Sequence, residues 1–177
     1  LHANPELSLE EFNTSELVAS KLTEWGYQVT RGLGKTGVVG SLSKGDSPRT
    51  IGLRADMDAL PIEETTGLPW ASTAPGKMHA CGHDGHTTIL LAAAKYIASP
   101  ACQFNGTVHL IFQPAEEAIG GADLMIKDGL FEQFPCERIF GLHNMPGLPV
   151  GKLGFYAGNF MASADTVKIT ITGYGGH

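Results

Sequence analysis

Apolar residues recur along the chain with the periods of helices and strands in alternation. The first stretch, Leu9 to Leu22, has helical spacing, and Ser8 and Glu11 stand three residues apart as in a capping box. We therefore predict a helix with Ser8 as its N-cap and Gly26 just after its last turn. Two more apolar runs predict further helices, over 87–98 and 122–127.

Short apolar runs bounded by Gly, Ser and Pro predict strands between these helices. They cover 38–42, 50–53, 107–112 and 138–142. The run 107–112 is almost continuously apolar, as in a sheet that is covered on both faces. Because helices and such strands alternate, we predict a three-layer α/β domain with a largely parallel central sheet.

The last part of the chain has a different pattern. The run 167–172 alternates with period two, which is typical of a strand whose sheet has one face in water. We therefore predict a first domain over 1–160 and the beginning of a second domain over 161–177. The chain begins without Met and closes on a glycine-rich turn, so we expect it to be an internal part of a longer protein.

Composition and charge narrow the functional classes. Hydrophobic residues make up 42% and charged residues 17% of the chain, as in a globular protein. The net charge of −6 gives no reason to expect nucleic acid or an anionic membrane as a partner. Three cysteines without the spacing of a disulfide framework favour a reducing compartment, and the cytoplasm is the default expectation.

Side chains that bind metals or carry protons cluster at four places. Three follow predicted strands, where α/β sheets build their sites: Asp56 with Asp58, Glu116 with Glu117, and His143. The fourth, 79–86, places three His, one Cys and one Asp within eight residues. Each place alone also has an ordinary explanation, such as turn-forming aspartates, a surface glutamate pair or polar residues at a helix start.

Taken together, these side chains can supply most of a two-metal centre. Thiolate, imidazole and carboxylate groups suit Zn²⁺, Mn²⁺, Co²⁺ or Ni²⁺. Of the two adjacent glutamates, one can bind metal while the other, Glu116, serves as a base. The predicted chemistry is hydrolysis, in which a water attacks a carbonyl carbon and Glu116 carries its proton to the leaving nitrogen.

Two alternatives stay open at this point. A thiol hydrolase with Cys81 as nucleophile and a nearby His as base leaves Glu116, Glu117 and His143 unused. A structural or sensory metal domain is the other alternative. Structural zinc sites are usually closed sets of four ligands, often rich in Cys, whereas the mixed ligands and spare glutamate here favour an open site.

The motifs resemble the amidohydrolase branch of the aminoacylase-type metallopeptidases. That branch includes hippurate hydrolase, plant hydrolases of auxin–amino-acid conjugates and N-acyl amino acid deacetylases. The resemblance spans the chain through motifs at 1–7, 54–61, 79–86, 112–117, 141–144 and 173–177. It implies a zinc-peptidase-like fold and hydrolysis of the amide bond of N-acyl amino acids, with benzoyl, acetyl or indole-acetyl groups as candidates and small peptides also open.

The resemblance also assigns roles to residues. It implies two divalent ions, Mn²⁺ or Zn²⁺ before Co²⁺ or Ni²⁺, with Glu116 as general base and acid and Asp58 as a carboxylate that orients the site. We expect Cys81 to bridge the ions. The implied metal ligands are Cys81, His83, Glu117 and His143.

The resemblance of the closing motif implies that the second domain is a smaller α+β lid and dimerisation domain. In the family its histidine, here His177, stabilises the oxyanion, often in the active site of a partner subunit, so we expect a homodimer. The family's fifth ligand is a histidine near the end of the full-length protein, and it is absent from these 177 residues. We therefore expect this segment alone to be incomplete as an enzyme.

Overall fold

The computed structural model describes residues 1–117, 119–163, 165 and 167–177. The chain divides into two compact units, Leu1–Asn144 and Met145–His177. Within the described residues, all helices and strands belong to the first unit. The strand predicted at 167–172 is wrong, because a strand needs a hydrogen-bonded neighbour and no described segment pairs with this run. The domain boundary near residue 160 stays a prediction.

A five-stranded sheet forms the centre of the first unit. Its strands are β1 (Gln28–Leu33), β2 (Gly37–Lys44), β3 (Thr50–Asp56), β4 (Gly106–Gln113) and β5 (Arg138–Gly141). They lie in the order β1-β2-β4-β3-β5. Strand β2 is antiparallel to β1 and β4, whereas β3 is parallel to β4 and β5. Four strands therefore run in one direction and only β2 opposes them, which confirms the largely parallel sheet.

Helices cover both faces of this sheet. They are α1 (Phe12–Glu24), α2 (His83–Ala98), α3 (Gly121–Lys127) and α4 (Leu130–Gln133). Successive residues of a strand point to opposite faces, so Phe112 packs in one core with α1 and α2 while Ile111 packs in the other with Met125 and Leu130. The predicted three layers are confirmed. At 16 residues, even α2 is shorter than the roughly 20 needed to traverse a bilayer, and no other described helix is longer.

The start of α1 differs from the prediction, and its end agrees. Ser8 and Glu11 form no capping box, because Ser8 donates to Asp58 and Glu11 accepts from Ala115. Glu6 instead accepts the N–H groups of Asn13 and Thr14, at 3.0 and 2.8 Å. The end of α1 is the predicted one: Gly26 has φ +85°, its N–H bonds to Thr23, and the next N–H bonds to Leu22.

Three adjacent parallel strands end at one edge of the sheet. Asp56 at the end of β3 pairs with Gln113 at the end of β4, and Arg54 pairs with Gly141 at the end of β5. The first turns of α2 lie at the same edge, where Thr87 Oγ1 donates to the carbonyl of Asp56 at 2.8 Å. The loops that follow β3, β4 and β5 therefore meet at the N-terminus of α2.

Lys44 anchors the other end of α2. Its Nζ donates to the carbonyls of Ile97, Ser99 and Cys102 at 2.7, 2.9 and 2.7 Å, and it lies 5.2 Å from the centre of the Phe104 ring. The last carbonyls of a helix have no partner within the helix, so a cation there satisfies them and interacts favourably with the helix dipole. Lys44 thereby fixes α2 to the sheet.

We expect Lys44→Met to lower the free energy of unfolding by about 2 kcal/mol, because three carbonyls then lose their charged hydrogen-bond donor. Urea unfolding of the whole protein measures this change. Lys95→Met is the control, since Lys95 is an exposed residue in the last turn of the same helix. Its expected change is within about 0.5 kcal/mol. Equal changes in the two variants would contradict the anchoring role.

Candidate metal centre

Three groups of candidate ligands share His83 at the N-terminus of α2, and one of them joins it to Asp56 and His86. The ligand atoms of Cys81, His83 and His143 lie within 4.8 Å of one another, and so do those of His83, Glu116 and Glu117. Cys81 Sγ is 3.4 Å from His143 Nε2. His83 Nε2 is 3.7 Å from Glu117 Oε1 and 3.9 Å from Glu116 Oε2. The structure thus brings the four predicted ligands together around His83, and Glu116 lies beside that residue.

Two of these ligand atoms are buried and have no hydrogen-bond partner among the residues that the structure describes. They are His83 Nε2 and Glu117 Oε1. Leaving a buried polar atom unpaired costs about 1–3 kcal/mol, and more when the group is charged. A divalent cation between an imidazole nitrogen and a carboxylate oxygen would satisfy both atoms at once, and a thiol and a second imidazole stand beside them. The residues present therefore fit a metal ion.

Asp58 fixes the orientation of His83. A carboxylate only accepts, so His83 Nδ1 is the donor to Asp58 Oδ1, at 3.2 Å, and Nε2 is left with its lone pair facing the other candidate ligands. Asp58 Oδ2 accepts from Ser8 Oγ at 2.7 Å and from the Glu117 N–H at 3.1 Å. Burial favours a higher pKa for Asp58, but these hydrogen bonds outweigh it and lower the pKa to about 2.

Asp56 and His86 form a second buried pair behind the candidate ligands. His86 Nδ1 lies 2.7 Å from Asp56 Oδ1, and Arg54 donates to Asp56 Oδ2 at 2.7 Å. Burial opposes the ionised form of Asp56, but the His86 hydrogen bond and the Arg54 charge outweigh it and lower its pKa. His86 Nε2 lies 3.0 Å from the backbone nitrogen of Asn144. The pair therefore ties the residue after His143 to the end of β3.

The sequence analysis gave no role in the site to His86, Ser8 or Asn144. A signal for His86 was available, because it follows His83 by three residues on the same face of α2. No comparable signal marked Ser8, whose capping-box spacing pointed to a local partner instead of Asp58. Asn144 contacts His86 across the fold, at a sequence separation of 58 residues.

The Cys81 thiol sits among negative charges. Burial raises its pKa first, and the hydrogen bond and charge of Glu117, with the charges of Glu116 and Asp56, raise it further, to about 12. A thiolate at Cys81 therefore needs a cation beside it. This environment suits a metal ligand and opposes a free nucleophilic thiolate.

Three other histidines of the first unit, His2, His79 and His109, belong to none of these groups of candidate ligands. His2 Nδ1 is 2.8 Å from Asp84 Oδ2, and its Nε2 is 3.3 Å from Glu64 Oε2. His79 is buried, and neither of its ring nitrogens has a hydrogen-bond partner among the described residues. His177 belongs to the second unit, Met145–His177, and its role stays a prediction.

Two curated proteins have sequences similar to this chain. The hippurate hydrolase of Campylobacter jejuni is 56% identical over 177 residues, which are 100% of this chain and 46% of that protein. The N-acetyl-L-cysteine deacetylase of Bacillus subtilis is 46% identical over 177 residues, 100% of this chain and 42% of that protein. The chain thus spans less than half the length of these curated relatives.

A solved structure and a family pattern agree with these relatives. The structure of the Bacillus subtilis YXEP protein, a dinuclear metal-binding peptidase, matches with a TM-score of 0.79 and 42% identity. The match covers 85% of this chain and 42% of that one. The sequence model of peptidase family M20/M25/M40 matches residues 52–176, well over half of the chain. On this evidence the chain belongs to peptidase family M20/M25/M40.

Proposed function

We propose that the whole protein hydrolyses the amide bond of N-acyl amino acids in a metal-dependent reaction. The observation that carries the proposal is the buried pair His83 Nε2 and Glu117 Oε1, adjacent to Cys81 and His143. These two atoms lie 3.7 Å apart and have no hydrogen-bond partner in the described part of the chain. The names of two relatives support the substrate class, since hippurate and N-acetyl-L-cysteine are both N-acyl amino acids. The acyl group and the amino acid are left open within that class.

We assign two divalent ions to this site, with Mn²⁺ or Zn²⁺ as the first candidates and Cys81 among the residues that would hold them. When bound, such ions polarise a carbonyl and lower the pKa of water. The mixture of sulfur, nitrogen and oxygen donors suits these ions. The assigned ligands are Cys81, His83, Glu117 and His143.

Glu116 is the proposed general base and acid. Its side chain is 42% exposed and lies 3.9 Å from His83 Nε2, so it borders the candidate ligands while remaining open to a substrate. It accepts a proton from the attacking water as the oxygen of that water bonds to the carbonyl carbon. It then delivers the proton to the nitrogen as the C–N bond breaks, which yields a carboxylic acid and an amine. Asp58 keeps His83 in the required tautomer throughout.

The family resemblance adds a proposal about the second unit. His177 follows a glycine-rich run and would donate a hydrogen bond to the oxyanion that forms on the carbonyl oxygen, in the site of a partner subunit. This role requires a homodimer that forms through the lid domain. We also propose a cytoplasmic location, which the scattered cysteines support.

A thiol hydrolase is the competing function, and the site weighs against it. The pKa of Cys81 is raised to about 12, mainly by burial and then by Glu117, so its thiol stays protonated without a cation. A purely structural metal site is the other competitor. It would give no role to Glu116, which stands beside the candidate ligands.

The first test replaces Glu116 by Gln. We expect the variant to retain about two metal ions per chain, as in two-metal hydrolases, because Glu116 is not a proposed ligand. Turnover should fall by roughly 10²-fold or more, because proton transfer is lost. Metal analysis and a panel of N-acyl amino acids measure the two effects on the whole protein. Glu132→Gln, an exposed change on α4, is the control. Turnover indifferent to Glu116 would contradict the mechanism.

Metal removal separates the hydrolase from the thiol alternative. Dialysis against a chelator should abolish turnover, and added Mn²⁺ or Zn²⁺ should restore it, because a bound ion would supply the Lewis acid that polarises the carbonyl. With metal bound, mild alkylation should leave turnover intact, since Cys81 is then a ligand. Mass spectrometry checks which of the three free cysteines reacts. Loss of turnover that follows alkylation of Cys81 in the metal-bound protein would favour the thiol mechanism.

The low pKa of Asp58 predicts how acid affects stability. A carboxyl group whose pKa falls from 3.8 to about 2 on folding contributes stability above pH 3.8, and this stability is lost as the pH falls through about 2. The contribution amounts to about 2 kcal/mol. In the metal-free protein, we therefore expect the stability difference between wild type and Asp58→Asn to shrink by that amount between pH 6 and pH 2. Urea unfolding at both pH values measures it.

The control for this test is Asp46→Asn, because Asp46 lies in the exposed turn between β2 and β3. Its stability difference from wild type should be nearly constant with pH. A difference for Asp58→Asn that is equally constant would show that Asp58 does not supply the acid-sensitive contribution.

A further inference from the structure

Glu11 is a buried carboxylate that the proposed reaction does not use. Its side chain is 0% exposed, and among the described residues no Lys, Arg or His forms an ion pair with it. Burial raises its pKa even though several hydrogen bonds act in the opposite direction. Burying a carboxylate without a cation is costly, so its contacts are expected to serve the structure around it.

The contacts of Glu11 join distant parts of the chain. Oε2 accepts a hydrogen bond from the hydroxyl of Thr36, a buried residue between β1 and β2. Oε1 accepts from the backbone N–H of Ala115 at 2.8 Å, in the loop that follows β4. One carboxylate therefore connects the segment before α1, the β1–β2 turn and the loop that carries Glu116 and Glu117.

Ala115 has a backbone conformation that needs such support. Its φ of +50° lies in the left-handed region, which a residue other than glycine adopts at a cost in free energy. Its carbonyl accepts from the Gly121 N–H at 2.9 Å. Gly121 has no space for a side chain, since a Cβ there would lie 1.7 Å from the carbonyl oxygen of Pro114. The chain therefore makes a tightly fixed turn directly before Glu116.

The backbone on the far side of Glu116 is held in the same way. The N–H of Glu117 donates to the carboxylate of Asp58 at 3.1 Å, which in turn accepts from Ser8. Two buried carboxylates, Glu11 and Asp58, thus hold the N–H groups of the residues on either side of Glu116. The segment that failed to form a capping box supplies Ser8 and Glu11 to this arrangement.

We propose that Glu11 is a positioning residue that sets the placement of Glu116 and Glu117 through the backbone of Ala115. The inference rests on the proposed function, because it concerns the general base and a metal ligand of that reaction. Without an acceptor for its N–H, Ala115 is free to leave the left-handed conformation. The two glutamates would then shift, and a displacement of ~1 Å can cost a reaction about 10²-fold.

The test compares Glu11→Met with Glu11→Gln in the whole protein. Met has a similar length and no acceptor, so kcat should fall by roughly 10²-fold while KM changes less than about 3-fold. Gln keeps one oxygen for the Ala115 N–H, and the Thr36 hydroxyl can turn to accept from its amide. We therefore expect Glu11→Gln to recover kcat to within about 10-fold of wild type. Metal content is measured in parallel, because a displaced Glu117 should also weaken metal retention.

Two controls separate positioning from stability. Glu10→Met changes the exposed neighbour of Glu11 and should leave kcat unchanged. Lys44→Met destabilises the fold at the far end of α2, away from the glutamates. If Glu11→Met lowers kcat no more than Lys44→Met does at a matched loss of stability, the positioning role is overturned. Recovery in Glu11→Gln is the outcome that a purely structural role would not produce.

A further variant keeps the proposal testable if Glu11→Met does not fold. Thr36→Val removes the partner of Oε2 and leaves the Ala115 contact in place, so kcat should stay within about 3-fold of wild type. A fall in kcat of roughly 10²-fold in Thr36→Val, at unchanged stability, would overturn the proposal, because the Ala115 contact is still present in that variant. If wild type hydrolyses no N-acyl amino acid, or Glu116→Gln is fully active, then the proposed function itself fails. If those two behave as expected and Glu11→Met is active, only the positioning role fails.

Discussion

The carboxylate of Asp58 is the point at which the N-terminal segment, helix α2 and the loop after β4 meet. It accepts from Ser8, from the ring of His83 and from the backbone of Glu117, and it is almost fully buried. A buried carboxylate is stable only when its lone pairs are used, so these contacts constrain one another. Each fixes one part of the candidate site: the segment before α1, the imidazole of His83 and the path of the chain at Glu117.

A second buried pair of a carboxylate and a histidine lies on the next turn of α2. Asp56 holds His86 as Asp58 holds His83; Asp56 is the last residue of β3, and Asp58 follows it by two residues. His83 then offers its other nitrogen to the candidate metal centre, whereas His86 contacts Asn144. Two carboxylate–histidine pairs therefore serve different purposes, one aimed at the site and one supporting the loop that carries His143.

Negatively charged side chains around the site affect both the protonation of Cys81 and the binding of a cation. Glu116, Glu117 and Asp56 surround the thiol of Cys81 and, together with burial, keep it protonated in the absence of a cation. The same charges would favour a divalent ion, and an ion would in turn stabilise the thiolate. This reciprocity explains how a cysteine in acidic surroundings can act as a ligand while being a poor nucleophile. Removing the proposed ion would therefore also leave the Cys81 thiol protonated.

The sequence by itself determined the layers of the fold and the location of the site. The spacing of apolar residues along the chain indicates which segments form buried strands and amphipathic helices. The ends of parallel strands meet at one edge of the sheet. Candidate ligands that follow such strands, as Glu117 and His143 do, could therefore be placed together from their positions along the chain. Strand β1 was not predicted, because only two of its six residues, Val29 and Leu33, are large and apolar, and they show no clear period.

Only the tertiary structure decided which partners the polar side chains near α1 choose. Ser8 and Glu11 match a local capping pattern, yet they bond to Asp58 and Ala115, 50 and 104 residues away. A hydrogen bond to a near or a distant partner has similar energy, so spacing cannot select between them. The choice depends on which groups become buried and would otherwise lack a partner, and that follows from how the whole domain packs.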